Sequence, residues 1–519
     1  MRDCLHNGVV LLSALVQTSA EVGSTRSRLA KRAAIACAIQ LAAPDEVATV
    51  VTYLSGTLRQ RRTGIGWASY QSAAEAADEP RLTVAEVDAA FERISALSGA
   101  GSREARREAL RGLLSRATGS EQEFLWRLAT EELRQGALDG VMQDAVADAF
   151  GVPAPLVRRA AMLLGSTAAA AEIAQQGAGP LEHVGLVVGV PVRPMLAASA
   201  PDVPAAFGKV AAGGEVLVDR KLDGIRIQVH RDGRDVRLFT RSLDDITDRL
   251  PEVVEVVSAL PAQRLVLDGE AIVLRPDGRP EPFQVTAART ASRSDAGTLR
   301  SRSPVSTLFF DILHRDGRDL LEQPLDERLG ELAAVVPPQH RMPSIRTSSR
   351  EQAQAYFDTA VAAGHEGVIV KASGSAYDAG RRGSAWVKVK PRHTLDLVVL
   401  AAEWGHGRRS GWLSNLHLGA RNAADGSWVM LGKTFKGLTD ALLTWQTERL
   451  LMLEVRRTQG TVYVRPELVV EVAFDGIQAS PRYPGGVALR FARVLRYRDD
   501  KSADEADTID TVLALHAAP

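Results

Sequence analysis

The run Asp219-Arg220-Lys221-Leu222-Asp223-Gly224-Ile225-Arg226 ends a β-rich stretch on an amine and follows it with an Asp-Gly turn. A lysine at that point is aimed into whatever cleft the next strand bounds, and Arg226 on that strand can hold a phosphate beside it. An amine must lose its proton before it attacks phosphorus, and both burial and nearby positive charge favour the free form. The bland alternative is a solvated lysine in an ordinary hairpin. Composition tilts against it. Only nine of the 63 Lys and Arg residues are lysine: Lys31, Lys209, Lys221, Lys371, Lys388, Lys390, Lys433, Lys436 and Lys501. The Ala- and Arg-rich usage fits a GC-rich genome, where a surviving lysine is one needed as an amine, since a guanidinium stays protonated and cannot be a nucleophile.

Four further segments add carboxylates, an aromatic and more amines. Leu267-Asp268-Gly269-Glu270 and Phe309-Phe310-Asp311-Ile312 each set an acid near a strand end or beside an aromatic ring. Glu366-Gly367-Val368-Ile369-Val370-Lys371 joins an acid and an amine across one strand. In Trp386-Val387-Lys388-Val389-Lys390, alternation sends both lysines to one face. Converging strands would supply carboxylates for Mg²⁺ (or Mn²⁺) and amines for a triphosphate, the mixed protein-and-phosphate ligation that Mg²⁺ favours.

This ordered series resembles the covalent nucleotidyltransferase superfamily of polynucleotide ligases and capping enzymes, most closely the bacterial ATP-dependent DNA ligases. The resemblance covers about Pro191 to Ile509. It implies that Lys221 is adenylated through a phosphoramidate and that Asp219, standing where glutamate is common, lies near the adenine. It further implies that Arg226 and Arg241 hold ribose and nick phosphates, that Glu270 contacts ribose or metal, that Phe310 stacks on adenine and that Glu366 serves the metal. Lys371, Lys388 and Lys390 match amines near the nucleotide phosphates, and Arg382 another nucleotide contact. Leu489-Arg490-Phe491-Ala492-Arg493, with Arg496, Arg498 and Lys501, resembles a last motif that orients the leaving pyrophosphate, with Ala492 where proline is usual. The implied architecture has three parts: an all-α DNA-binding domain over 1–180, an α+β nucleotidyltransferase domain over 190–397, and an OB-fold β-barrel over 398–519. The middle domain would carry antiparallel sheets of an ATP-grasp-like kind. ATP and nicked duplex DNA are the implied partners, and a monomer is expected. ATP is favoured over NAD⁺ because two cysteines, Cys4 and Cys37, cannot build the four-cysteine zinc module of NAD⁺-using ligases. An RNA-joining or capping enzyme would share Lys221, but the helical domain argues against it. A non-catalytic DNA-binding protein would not need every charged position filled.

The elements that must position these residues follow from patterning. Residues 1–180 read as helical: Thr83 and Glu86, then Ser120 and Glu123, have capping-box spacing ahead of apolar faces, and no strand-like alternation of any length interrupts them. Arg59, Arg61 and Arg62 flank a glycine-opened turn suited to DNA phosphates. Gly165 to Gly189 reads as a boundary, after which short β-rich runs and two helical stretches alternate. Near residue 397 a third region begins, where Lys433 and Lys436 are candidate DNA contacts. His230, His314 and His365 show no metal-ligand spacing, and Tyr377 and Trp404 read as core.

Bulk properties set the outer limits. A chain of 519 residues with 45% hydrophobic and 24% charged residues suits several globular domains, not a disordered or coiled-coil protein. Val9 to Val16 is too short to span a bilayer and lacks the flanks of a secretory signal, so a cytoplasmic, nucleoid-associated protein is expected. The formal net charge of +0 neither demands nor forbids a nucleic-acid partner, so basic grooves must be argued locally.

Overall fold

The computed structural model describes residues 5–6, 9–60, 63–65, 74–99, 101–133, 135, 139–210, 214–292, 300–301, 303–378 and 382–517. Helices from Leu12–Ser24 to Ala178–Glu182 form the N-terminal region. The Thr83 hydroxyl accepts from Glu86 N at 3.2 Å while the Glu86 carboxylate accepts from Thr83 N at 3.0 Å, so the expected box starts Val84–Ala96. Its buried face is Val87, Ala90, Phe91 and Ile94. The second box forms two residues earlier than expected, at Thr118 and Glu121, and starts Gly119–Ala129. That register buries Phe124, Leu125 and Leu128 and leaves Glu123 outside to pair with Arg127 one turn on. A two-residue antiparallel pair, Leu5–His6 with Val9–Val10, departs from the all-helical reading and is too short to betray itself by alternation.

Two five-stranded sheets make the central region. One runs Ser344–Thr347, Val216–Lys221, Gly367–Ala372, Arg382–Val389, Leu196–Ser199, antiparallel except for its last pair. The other runs Asp235–Thr240, Ile225–Asp232, Arg264–Val273, Val305–Arg315, Arg318–Asp319 and is antiparallel throughout. Alternation decides which residues meet. In the first sheet Val216, Val218, Val368, Val370, Val387 and Val389 bury against helices Val203–Val210 and Arg350–Ala362. The residues between them, among them Asp219, Lys221, Lys371, Trp386 and Lys388, therefore face the opposite way, into a cleft. The second sheet buries Ile227, Val229, Leu265 and Leu267 on its outer side and turns Arg226 and Glu270 to the same cleft.

The C-terminal region has its own core, drawn from residues between Leu395 and Val512. Its seven-stranded sheet does not close into the expected β-barrel. The order is Trp428–Thr434, Leu413–Arg421, His393–Trp404, Thr461–Val464, Glu454–Arg457, and among the described residues the two end strands do not pair with each other. The long His393–Trp404 strand shares one edge between two partners, Val469–Phe474 over its first half and Thr461–Val464 over its second, and this splays the sheet. No helix of the described residues is long and apolar enough to cross a membrane.

Candidate active site

Lys221 closes one sheet and Ile225 opens the other, so the chain crosses between sheets in three residues. The crossing needs a glycine, because a Cβ on Gly224 would sit 2.6 Å from the Ala271 carbonyl oxygen. Gly367 is forced for a similar reason: its φ is +137° and a Cβ would lie 2.1 Å from the Val389 carbonyl oxygen. These close approaches bring Glu366 against Lys221. The cleft between the sheets measures about 970 Å³.

Its centre is a shared carboxylate. One Glu366 oxygen meets the Lys221 amine and the other meets the Lys390 amine, and all three side chains are largely shielded from solvent. Burial pushes the Glu366 carboxyl up, but the two amines outweigh it and hold it below the ordinary range. Glu270, more deeply buried and facing the carboxylates of Asp268 and Glu366, goes the other way. Burial raises it to about 7 against the pull of Lys221 and Arg226. Near neutral pH, therefore, Glu366 is held ionised while Glu270, at about 7, exchanges its proton.

The cleft floor is aromatic and cationic. Lys371 is 1% exposed, pairs with Asp219 at 2.5 Å, and lies 4.7 Å from the Phe310 ring centre and 4.2 Å from that of Trp386. Arg226 is not free for a ligand. Its guanidinium makes a two-pronged pair with Asp268 at 3.0 and 2.6 Å, donates to the Met195 carbonyl at 2.6 Å and rests over Phe310. Tyr377 donates to the same Asp268 at 2.6 Å, so the reading of Tyr377 as core is met by a buried hydroxyl with a job. Arg241, Lys388 and Lys436 also line the cleft, and Lys436 sits over Phe491 at 5.1 Å rather than out on the sheet.

The C-terminal region reaches in from the other side. Arg490 bonds Asp223 at 2.7 Å, and Asp475 takes Lys390 at 2.8 Å. The remaining basic candidates lie elsewhere. Arg498 and Lys501 are both held by Asp396, at 2.8 and 2.6 Å, outside the cleft, and Arg493 is exposed and not among the residues lining it. Lys433 is taken up by Glu403, and Arg59 by Asp88 and Glu92. Arg61, Arg62 and the Arg382 side chain lie outside the described residues. Sequence reasoning gave no role to Asp268, Tyr377, Asp223 or Asp475. Asp268 had a signal, since it shares a strand face with Glu270 opposite Arg226, whereas Asp475, more than eighty positions from Lys390, had none.

Fold and cleft together define a nucleotidyltransferase domain flanked by a helical and a β-rich region. Residues 194–390 match the ATP dependent DNA ligase domain, 409–501 its C terminal region, and 68–147 the DNA ligase N terminus. A probable DNA ligase of a Nocardioides species is 58% identical over 98% of this chain and 99% of its own length. DNA ligase B of Mycobacterium tuberculosis is 54% identical over 98% of this chain and 100% of its own. A solved structure described as Pmar-Lig_Pre shares the fold, with a TM-score of 0.61 at 18% identity over 93% of this chain and 99% of that one. The chain belongs to the ATP-dependent DNA ligase family.

Proposed function

We propose that this chain seals nicks in duplex DNA through an AMP carried on Lys221. The observation that supports this reading most strongly is the Lys221 amine, set at the crossing between two sheets with Glu366 in contact and an aromatic, lysine-rich floor beside it. Lys221 Nζ gives up a proton and attacks the α-phosphorus of ATP; the bond to the β-phosphate breaks and pyrophosphate leaves. A 5′-phosphate oxygen at the nick then attacks the same phosphorus, the P–N bond breaks and the lysine regains a proton. The 3′-hydroxyl finally attacks the 5′-phosphate and AMP departs.

Each group takes a part suited to its surroundings. Glu366 touches the nucleophile and is placed to orient the Lys221 amine toward the α-phosphorus. Phe310 offers a face for adenine, with Asp219 and Lys371 fixing that end. Arg226, held by Asp268, lies 5.4 Å from the Phe310 ring centre and so borders that end of the cleft. Arg241, Lys388, Lys390, Lys436 and Arg490 surround the space left for phosphates. Arg493, Arg498 and Lys501 enter only if the C-terminal region shifts. Arg382 is a further nucleotide contact in this reading.

Glu270 and Glu366 are the residues that would hold Mg²⁺ (or Mn²⁺). Among the described residues no three His, Cys, Asp or Glu form a cage, and a pair of carboxylates beside a phosphate space is the donor set this ion accepts. When bound, the ion offsets negative charge on the phosphates.

The helical region, 1–180, is read as the duplex-gripping domain through Arg59, Arg61 and Arg62, the region 190–397 as the transferase, and 398–519 as an OB-type module whose Lys433 meets DNA. The enzyme is read as a monomer acting on nucleoid DNA in a bacterial cytoplasm. Incubating the protein with ATP, Mg²⁺ and nicked substrates tests the assignment. Joining of nicked DNA, with slower joining when the nick is flanked by RNA, is the expected result; joining of RNA alone would transfer the chain to the RNA-joining class.

A further inference from the structure

Two charges stand side by side at the open end of the hairpin formed by Gly476–Ala479 and Val487–Arg490. Gly476 pairs with Arg490 in the ladder, and the backbone N–H of Asp475 donates to the Arg490 carbonyl at 3.0 Å. The hairpin therefore fixes Asp475 relative to Arg490. Across the cleft the central region presents the reverse pair. Arg490 meets Asp223, two residues after the nucleophile, and Asp475 meets Lys390 at 2.8 Å. Cation faces anion and anion faces cation, so the two contacts form together in one seating of the hairpin, and a reversed seating would set like charges opposite each other. The helix Phe283–Ala291 guides that seating: Arg490 lies 5.2 Å from the Phe283 ring centre, and the Gln284 amide donates to the Ala479 carbonyl at 3.3 Å.

Only the Arg490 half of this clasp was legible from the sequence. The other half leads directly to the nucleophile. Lys390 touches Asp475 on one side and Glu366 on the other, and Glu366 touches Lys221. A continuous line of charge thus runs from the C-terminal region to the reacting amine. Without Asp475, Lys390 would have one carboxylate, the one it shares with Lys221. With Asp475 in place, Lys390 is held from two directions and Glu366 is less committed to it.

We propose that Asp475 is a positioning residue for the lysine-adenylation step, carried in by the hairpin to fix the Lys390 amine beside Glu366 and the phosphates of ATP. The inference rests on the reading of Lys221 as the adenylated residue. It also implies a division between steps. Asp475 acts through Lys390 and Glu366 on the amine that attacks ATP, and that amine does not react when the 3′-hydroxyl joins the ends, so Asp475 acts while ATP is handled and not while DNA ends are joined.

Full-length Asp475→Asn and Asp475→Glu proteins test this against wild type in two assays. The first follows transfer of label from α-labelled ATP to the protein, over a range of ATP concentrations. The second follows sealing of a nick whose 5′ end is already adenylated, with no ATP present. The expected result is that Asp475→Asn slows labelling about tenfold at saturating ATP. The pre-adenylated nick is sealed at the same rate within about twofold, and Asp475→Glu recovers most of the labelling. Labelling by Asp475→Asn at the wild-type rate overturns the proposal. So does equal slowing in both assays, which would make Asp475 a general structural support. Wild-type protein that takes no label, yet seals the pre-adenylated nick, removes the Lys221 reading beneath it and with it this inference.

Discussion

The two joints of the molecule are built from opposite materials. Between the helical and central regions the joint is apolar and strapped. One continuous core contains Leu128, Met142 and Leu163 from the helices together with Val266, Leu313 and Trp386 from the central sheets. The segment between them is pinned to a strand: Gly189 N donates to His230 Nδ1 at 2.9 Å, and Val192 exchanges bonds with the Gln228 amide at 2.8 and 3.1 Å. The joint between the central and C-terminal regions is charged. Among the described residues the C-terminal core holds none before Leu395, and the cleft is bridged by Asp223–Arg490 and Lys390–Asp475. Apolar burial of the first kind opens only with unfolding, since water gains access to surface that costs about 25 cal/mol per Å² to expose. Ion pairs of the second kind exchange readily for water and phosphate. The expectation that follows is that the helical and central regions stay together as one body while the C-terminal region moves against them.

The largest effect should come from breaking the charged joint. Arg490→Ala removes one side of the clasp and a guanidinium from the phosphate space, and about a 100-fold loss of lysine labelling is expected. The melting temperature should stay within about 2 °C, because no core residue is touched. A comparable fall in stability would mean that this joint, too, is structural.

Gly165→Ala should do the reverse. Gly165 has φ +66°, and an added Cβ would sit 2.7 Å from the Pro191 carbonyl oxygen and 2.8 Å from Leu243. The backbone oxygen cannot give way cheaply, so a loss of about 2–3 kcal/mol in denaturant titration is expected. Labelling by protein that remains folded should be unchanged. An unaltered melting curve would show that the strapped joint is looser than its packing implies.

A pH series sharpens the same contrast. His230 is 1% exposed, and burial, aided by Arg237 and His314, lowers it from 6.5 to about 3. The unfolded chain takes up a proton as pH falls through 6.5 while the folded form does not, so stability present at higher pH is lost in the window from 6.5 down to 3. Between pH 7.5 and 5 this group alone should cost about 2 kcal/mol. His230→Gln should flatten that part of the profile; a variant as acid-sensitive as wild type would place the effect in other groups.

The smallest effect is expected on the helical surface. Arg59 is half exposed and its pairs with Asp88 and Glu92 cost little to break. Arg59→Ala should leave melting unchanged and weaken binding to nicked duplex a few-fold, with a salt slope shallower by about 1. Unchanged DNA affinity would remove this loop from the interface.

What was legible in the sequence follows from which interactions are local. Strand alternation is a period-two signal, and it placed Lys388 and Lys390 on one face without any knowledge of the sheet order, as their shared place on the cleft wall bears out. Capping boxes are equally local, although the one expected at Ser120 and Glu123 forms at Thr118 and Glu121, the register that buries Phe124 and Leu128. Pairings across long separations were not legible. Asp475 with Lys390 and Asp396 with Lys501 depend on topology, and a charged residue looks the same in sequence whether it is solvated or paired. The open C-terminal sheet was missed for the same reason. Alternation over 468–474 gives a strand, but not that His393–Trp404 splits one edge between two partners.

An AMP carried on Lys221 can be sought directly. Wild-type protein and Lys221→Ala should be incubated with ATP and Mg²⁺, digested, and searched by mass spectrometry for a peptide bearing AMP. One acid-labile adduct on Lys221 is expected in the wild type and none in the variant. An adduct on Lys371, Lys388 or Lys390, or one that persists in Lys221→Ala, would contradict it.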